Sequence, residues 1–306
     1  MAALLAVSLS LLASTAAARD VPSNVRSFYD SIRAQPTCNN VLARGFTSVW
    51  DDTTASATYC GDHISDYNVV FLRENNGNLV DMDVDCDGLQ GGPGDDGRCE
   101  SSDDTQSITA FQWILEGYNV GQEDLNAKVH SYVVFGNVGD RPNWPHFDPQ
   151  AYGIEPLSVM AVVCDNKLFY GVWGDINGDD GDMAMVGEAS ISLATACFGT
   201  SMNGNFGHTE KDVLYIAFPG RDAVPGANGA AWTAQSFDEF HSSISALGDR
   251  LIQRIGNTGG DGGDGGDDGG DDDDCSWAGH CQGAPCTTWD DCADSLTCTN
   301  GICSPP

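Results

Sequence analysis

The stretch that decides the fold is Lys167-Leu-Phe-Tyr-Gly-Val-Trp-Gly-Asp-Ile-Asn-Gly-Asp-Asp-Gly-Asp-Met-Ala-Met-Val-Gly-Glu-Ala-Ser-Ile-Ser-Leu193. A run rich in β-branched and aromatic residues ends at Asp175. A turn of Asn, Gly and Asp follows, and a second apolar run carries Glu188. The pattern predicts a β-hairpin with a long loop. Side chains alternate along a strand, so Phe169, Trp173 and Asp175 are expected on one face, and Val186, Glu188 and Ser190 on one face of the next strand. Strands paired near those ends would project both carboxyls into one groove.

Outward from this stretch the same signals recur. Val129 to Phe135, Leu157 to Val163, Leu168 to Trp173, Ala184 to Leu193 and Val213 to Phe218 read as strands bounded by Gly, Asn and Asp. Three helices are expected. Val25, Phe28, Tyr29 and Ile32 recur at helical spacing behind Ser23/Asn24. Ile108, Phe111 and Leu115 lie on one face of a segment from Thr105 to Leu115. Phe237, Phe240, Ile244, Leu247, Leu251 and Ile255 form a stripe behind a capping box of Ser236 and Glu239. The fold class is therefore mainly β with peripheral helices, and several short strands with Gly-rich connections favour a small β-barrel core.

Residues 1–18 read as a signal peptide. The apolar run Leu4 to Leu12 is too short to span a bilayer, and Ala16-Ala17-Ala18 offers a small-residue cleavage site, so the secreted chain begins near Arg19. Secretion makes the twelve cysteines disulfide partners. One set of six is spread from Cys38 to Cys197 and the other is crowded between Cys275 and Cys303. Six cysteines allow fifteen pairings, and spacing selects none of them. Residues 257–274 are only Gly and Asp after Asn257-Thr258, which predicts an extended linker. The chain divides into a leader (1–18), a large domain (19–256), this linker, and a six-cysteine module (275–306). The module is too small for an apolar core and depends on its staples. Trp277 and Trp289 suit a polymer-binding face or simply pack on the disulfides.

The 306 residues carry 45 acids against 13 Lys and Arg, a formal charge of −32. Such a surface repels phosphates, which excludes nucleic acid as a partner, and it attracts a polycation. No later stretch is apolar enough for a membrane. The six His residues show no zinc spacing, and Ser190 lacks a nucleophile-elbow context. Asp175-Ile-Asn177-Gly-Asp179 and Asp81-Met-Asp83-Val-Asp85-Cys-Asp87 start like calcium loops, but their twelfth positions hold Val186 and Gly92, and no metal or cofactor is expected. No Asn-x-Ser/Thr sequon is present.

A pair of carboxyls is what glycoside hydrolysis requires: one protonates the leaving oxygen, the other attacks or activates water. Glu188, set among Val186, Gly187, Ala189 and Ile191, is expected to be desolvated and to act as the acid. Asp175, beside a wet loop, is expected to stay ionised. Trp173 and Tyr170 are the aromatic residues near enough to stack on sugar. The dense run Asp81, Asp83, Asp85, Asp87, Asp95 and Asp96 is either a cation-binding patch or a solvated loop pinned by Cys86 and Cys99.

Read together, DMDVDCDGLQGGPGDDGRC (81–99), VHSYVVFGN (129–137), PLSVMAVVC (156–164), LFYGVWGDINGDDG (168–181), MVGEASISLATACFG (185–199) and DVLYIAF (212–218) resemble the fungal chitosanases of glycoside hydrolase family 75. The resemblance spans about residues 21–255. It implies endo-hydrolysis of β-1,4-linked glucosamine chains of chitosan with inversion and without a cofactor; the chain itself is expected to be a monomer. The resemblance places the family's acid and base at Glu188 and Asp175, and it implies a barrel of double-psi type. The rival reading is a non-catalytic, calcium-stabilised polysaccharide-binding protein.

Overall fold

The computed structural model describes residues 19–49, 54–100, 102, 104–179, 183–256, 292, 296–299 and 302–304. The leader, the linker, and Trp277 and Trp289 lie outside the described residues. The large domain is mainly β with peripheral helices. Its strands are β1 (Arg19–Asp20), β2 (Val41–Phe46), β3 (Ala57–Cys60), β4 (Val70–Arg73), β5 (Val80–Asp85), β6 (Tyr132–Asn137), β7 (Val159–Cys164), β8 (Lys167–Asn177), β9 (Glu188–Ser190) and β10 (His208–Ala217). Its α-helices are α1 (Ser23–Ala34), α2 (Ile64–Tyr67), α3 (Gln112–Tyr118), α4 (Ile191–Phe198) and α5 (Phe237–Leu251). In the C-terminal module β11 (Thr297–Thr299) pairs with β12 (Ile302–Ser304), and Cys292 is bonded to Cys303.

The ten strands of the large domain form one mixed sheet. Its pairings run from β8 to β6, β9, β5, β10 and β7, and β7 pairs with β8 again. Strands β6 and β7 are buried at every position, and β8 is buried from Leu168 to Asp175. That is why they read as continuous apolar runs: both faces are covered. Helix α1 closes one side through Val25, Phe28, Tyr29 and Ile32, all buried as their spacing predicts. Ser236 caps α5 by accepting the Glu239 N–H. The reciprocal Glu239 carboxylate reaches the Gln235 N–H at 2.8 Å, one residue further back than in a simple capping box. Disulfides Cys38–Cys60, Cys86–Cys99 and Cys164–Cys197 each join consecutive cysteines of the large domain. No helix among the described residues is long and apolar enough to cross a membrane.

Three expectations are corrected. The hairpin does not form: β8 and β9 are not partners, because β6 lies between them. Helix α3 starts at Gln112, not near Thr105. The Thr109 N–H and hydroxyl are taken by Asp124 and the Ala110 N–H by Asp175, so carboxylates claim amides that a helix would use. Ile108, expected in the core, is 51% exposed. Finally, the strand expected over Ala184 to Leu193 is only three residues of β9, after which Ser190 accepts the Leu193 N–H and starts α4.

Candidate active site

Asp175 and Glu188 meet across a third strand. Val134 of β6 pairs with Asp175 on one side and with Glu188 on the other. Residues directly opposed across a sheet share a face, so both carboxyls and Val134 point the same way. Two strand spacings separate the two backbones, about 9.6 Å in a flat sheet.

A bulge sets this arrangement. Val133 pairs with Trp173, but Val134 pairs with Asp175, so Gly174 is the extra residue on β8. The bulge turns Trp173 to the face opposite Asp175, contrary to simple alternation. A Cβ at position 174 would stand 2.6 Å from both Leu125 and Tyr132, so only glycine fits there. Trp173 is fully buried, edge-on to Phe111, and its indole N–H bonds the Asp175 carbonyl at 3.0 Å. Tyr170 is also fully buried and donates its hydroxyl to Asp249. Neither lines the cleft. On the other strand Gly187 (φ 93°) precedes Glu188, and a Cβ there would press within 2.8 Å of the Asp81 carboxyl.

The acidic run divides: Asp81, Asp83 and Asp85 lie in strand β5, and Asp87, Asp95 and Asp96 follow in the loop closed by Cys86–Cys99. In β5, Asp83 pairs with Glu188 and Asp85 with Ser190. Strand β5 is three pairings from β8, a distance of about 14 Å in a flat sheet. Yet ligand oxygens of Asp85, Asp87 and Asp175 lie within 4.8 Å of one another. The sheet is therefore strongly curled, with the carboxyls on its concave side. Asp81 does not join them at the surface: it is fully buried, and neither carboxyl oxygen has a hydrogen-bond partner. Asp95 and Asp96 are exposed on the loop closed by Cys86–Cys99, outside the cleft lining, and Asp96 pairs with Arg98 at 2.8 Å.

The cleft over this face has a volume of about 920 Å³, at the upper end of the roughly 300–1,000 Å³ that small-molecule sites occupy. Asp83, Asp85, Asp87, Asp104, Asp175, Asp179 and Glu188 line it, and among the described residues no Lys, Arg or His does. Sequence reasoning missed several walls. Asn137 and Asn177 both donate to the Met185 carbonyl at 2.9 and 3.0 Å and tie the cleft floor together. Trp144 and Phe206 stand on its rim.

Burial and crowding decide the protonation pattern. Burial pushes Asp175 up to about 7, opposed by hydrogen bonds from the Ile176 and Ala110 N–H groups. Burial, then the charges of Asp85 and Asp83, hold Glu188 well above the usual carboxyl range. Burial also pushes Asp83 to about 7, Asp85 to about 8 with help from Asp175, and Asp81 to about 10. Asp175 is thus not the solvated group its neighbouring loop suggested: it is 7% exposed, whereas Glu188 is partly open to the cleft. What favours its ionised form is a pair of backbone donors, not water.

The chain aligns over 244 residues with an endo-chitosanase of Aspergillus oryzae at 42% identity, covering 79% of this chain and 94% of that protein. An endo-chitosanase of Aspergillus fumigatus is 41% identical over 242 residues, with the same coverage. The endo-chitosanase C of Aspergillus oryzae is 36% identical over 240 residues, 74% of this chain and 55% of that longer protein. Residues 82–254, which hold β6 to β10, most of β5 and both carboxyls, match the family described as "Fungal chitosanase of glycosyl hydrolase group 75". The chain therefore belongs to the fungal chitosanases of glycosyl hydrolase group 75.

Proposed function

We propose that this protein is a secreted endo-chitosanase that cleaves β-1,4 bonds between glucosamine units with inversion, Glu188 serving as general acid and Asp175 as general base. The observation that carries the reading is the placement of Asp175 and Glu188 on either side of Val134, in a cleft lined by acids and by no cation among the described residues. Inversion needs a carboxyl separation of roughly 6.5–9.5 Å, which leaves room for a water, against the ~5 Å of a covalent mechanism; the intervening β6 keeps Asp175 and Glu188 off directly paired strands, which favours the longer separation. Glu188, held protonated by burial and its acidic neighbours, gives its proton to the glycosidic oxygen as the C1–O bond breaks. Asp175 takes a proton from water, whose oxygen bonds C1 from the opposite face. One water is consumed, a β bond yields an α product, and proton exchange with solvent resets both groups. Asp83, Asp85 and Asp87 hold substrate ammonium groups, whose charge favours ionised carboxylates.

The closed circuit of pairings through β8, β6, β9, β5, β10 and β7 supports a small barrel, which we assign to the double-psi type. The disulfides support an oxidising, extracellular destination. Proton NMR of the fresh products tests the mechanism. The α anomer appearing first supports inversion, and the β anomer appearing first refutes it.

A further inference from the structure

We infer that Phe206 and Trp144 are stacking platforms that grip a glucosamine chain at the two ends of the cleft, beyond the reacting bond. This rests on the proposed chitosanase reading and adds a binding role to residues outside the carboxyl row. Phe206 is 70% exposed and lines the cleft, although an aromatic ring of this size is usually covered. Its place is fixed. The Asn203 and Phe206 backbones exchange hydrogen bonds at 3.0 Å, and a Cβ on the adjoining Gly207 would touch the Asp83 Cα at 2.9 Å. Phe206 therefore stands on the β5 side, beside Asp83, the register partner of Glu188.

Trp144 stands at the other end. Its loop leaves β6 and returns through the Asn137–Phe147 bridge. The Asp179 carboxylate, just past the end of β8, accepts the Asp140 and Arg141 N–H groups at 2.8 Å each and holds that loop over the Asp175 side. The Arg141 guanidinium lies 4.4 Å from the centroid of the Trp144 ring, which orients the indole. The two rings thus bracket the row of carboxyls.

The occupant follows from this chemistry. A glucosamine ring has apolar C–H faces and a cationic edge. Rings at the rim and carboxylates on the floor complement both at once, and neither feature alone would distinguish a cationic sugar from a neutral one or from a cationic peptide. The cleft volume suits a run of sugars and not a single unit.

The test measures kcat and KM on soluble chitosan for wild type, Phe206→Ala and Trp144→Ala, with Phe206→Trp and Trp144→Phe as rescues. Covering about 50 Å² of ring face corresponds to about an eightfold change in affinity. The expected result is a rise of about that size in KM for each alanine variant, with kcat moving less than twofold and the aromatic variants restoring KM. The relative loss should persist at about 1 M salt, where the Debye length is about 3 Å, because stacking is not screened. Phe206 is exposed, so Phe206→Ala remains folded even if Trp144→Ala does not. An active wild type whose KM is unmoved by Phe206→Ala, or is raised equally by Phe206→Trp, overturns the stacking assignment. A wild type inactive on chitosan overturns the chitosanase reading instead. In that case calorimetric binding of a glucosamine oligomer, lost or kept in Phe206→Ala, still decides the platform.

Discussion

Replacing Asp81 by Asn is expected to make the protein progressively more stable than wild type as the pH rises. Asp81 is fully buried, neither of its carboxyl oxygens finds a hydrogen bond, and burial holds its pKa up to about 10. In the unfolded chain the same group ionises near 3.9. Between pH 5 and pH 8 the native state keeps this proton and the unfolded state has lost it, so wild-type stability falls with rising pH. Each pH unit is worth about 1.4 kcal/mol per proton, and three units give a change of about 4 kcal/mol. Asn is neutral throughout and removes that dependence. Any fixed cost of its extra N–H donors is the same at both pH values and cancels in the difference. Urea unfolding of both proteins at pH 5 and pH 8 measures it. The variant-minus-wild-type stability should shift by about 4 kcal/mol in favour of Asp81→Asn. An unchanged difference, or a shift in favour of wild type, would show that native Asp81 is ionised and paired, and the account of the carboxyl cluster would fail with it.

Trp173→Phe loses the hydrogen bond to the Asp175 carbonyl and part of a buried ring. It should cost about 1–3 kcal/mol in thermal or urea unfolding while KM on chitosan moves less than twofold, since Trp173 is core and not cleft. Replacing Cys86 and Cys99 together by Ser opens a loop with a sequence separation of 13. It should lower stability by about 3 kcal/mol and raise KM, because the loop carries Asp87 and its Arg98 carbonyl accepts the Gly204 N–H in the turn before Phe206. EDTA should leave activity unchanged if Asp85, Asp87 and Asp175 are reserved for substrate ammonium groups. Loss of activity restored by calcium would assign that trio to a metal.

Part of this molecule was legible in the sequence. Helical spacing marked the buried faces of α1 and α5, and continuous apolar runs marked β6, β7, β8 and β10. Strand β5 carried a signal that was read as acidity: Val80, Met82 and Val84 alternate with Asp81, Asp83 and Asp85, the period of a strand that turns carboxyls to one face. Composition alone could not distinguish Asp81, sealed in the core, from Asp83, open to the cleft. The β6 insertion between β8 and β9 is a long-range pairing with no local signature. A one-residue bulge then reversed the face of Trp173, and period-2 reasoning is blind to it except through Gly174. Phe206 sits in a polar stretch, Asn203-Gly-Asn-Phe-Gly207, where an isolated aromatic residue was itself the missed clue.

The central claim is that Asp175 and Glu188 carry the chemistry. Its most direct measurement is the initial rate of soluble-chitosan cleavage by wild type, Glu188→Gln and Asp175→Asn, with folding checked by circular dichroism. Loss of a general acid or base removes about 10²–10⁴-fold in rate, and each variant should fall by that much while remaining folded. Folded variants that both cleave within threefold of wild type would contradict the account.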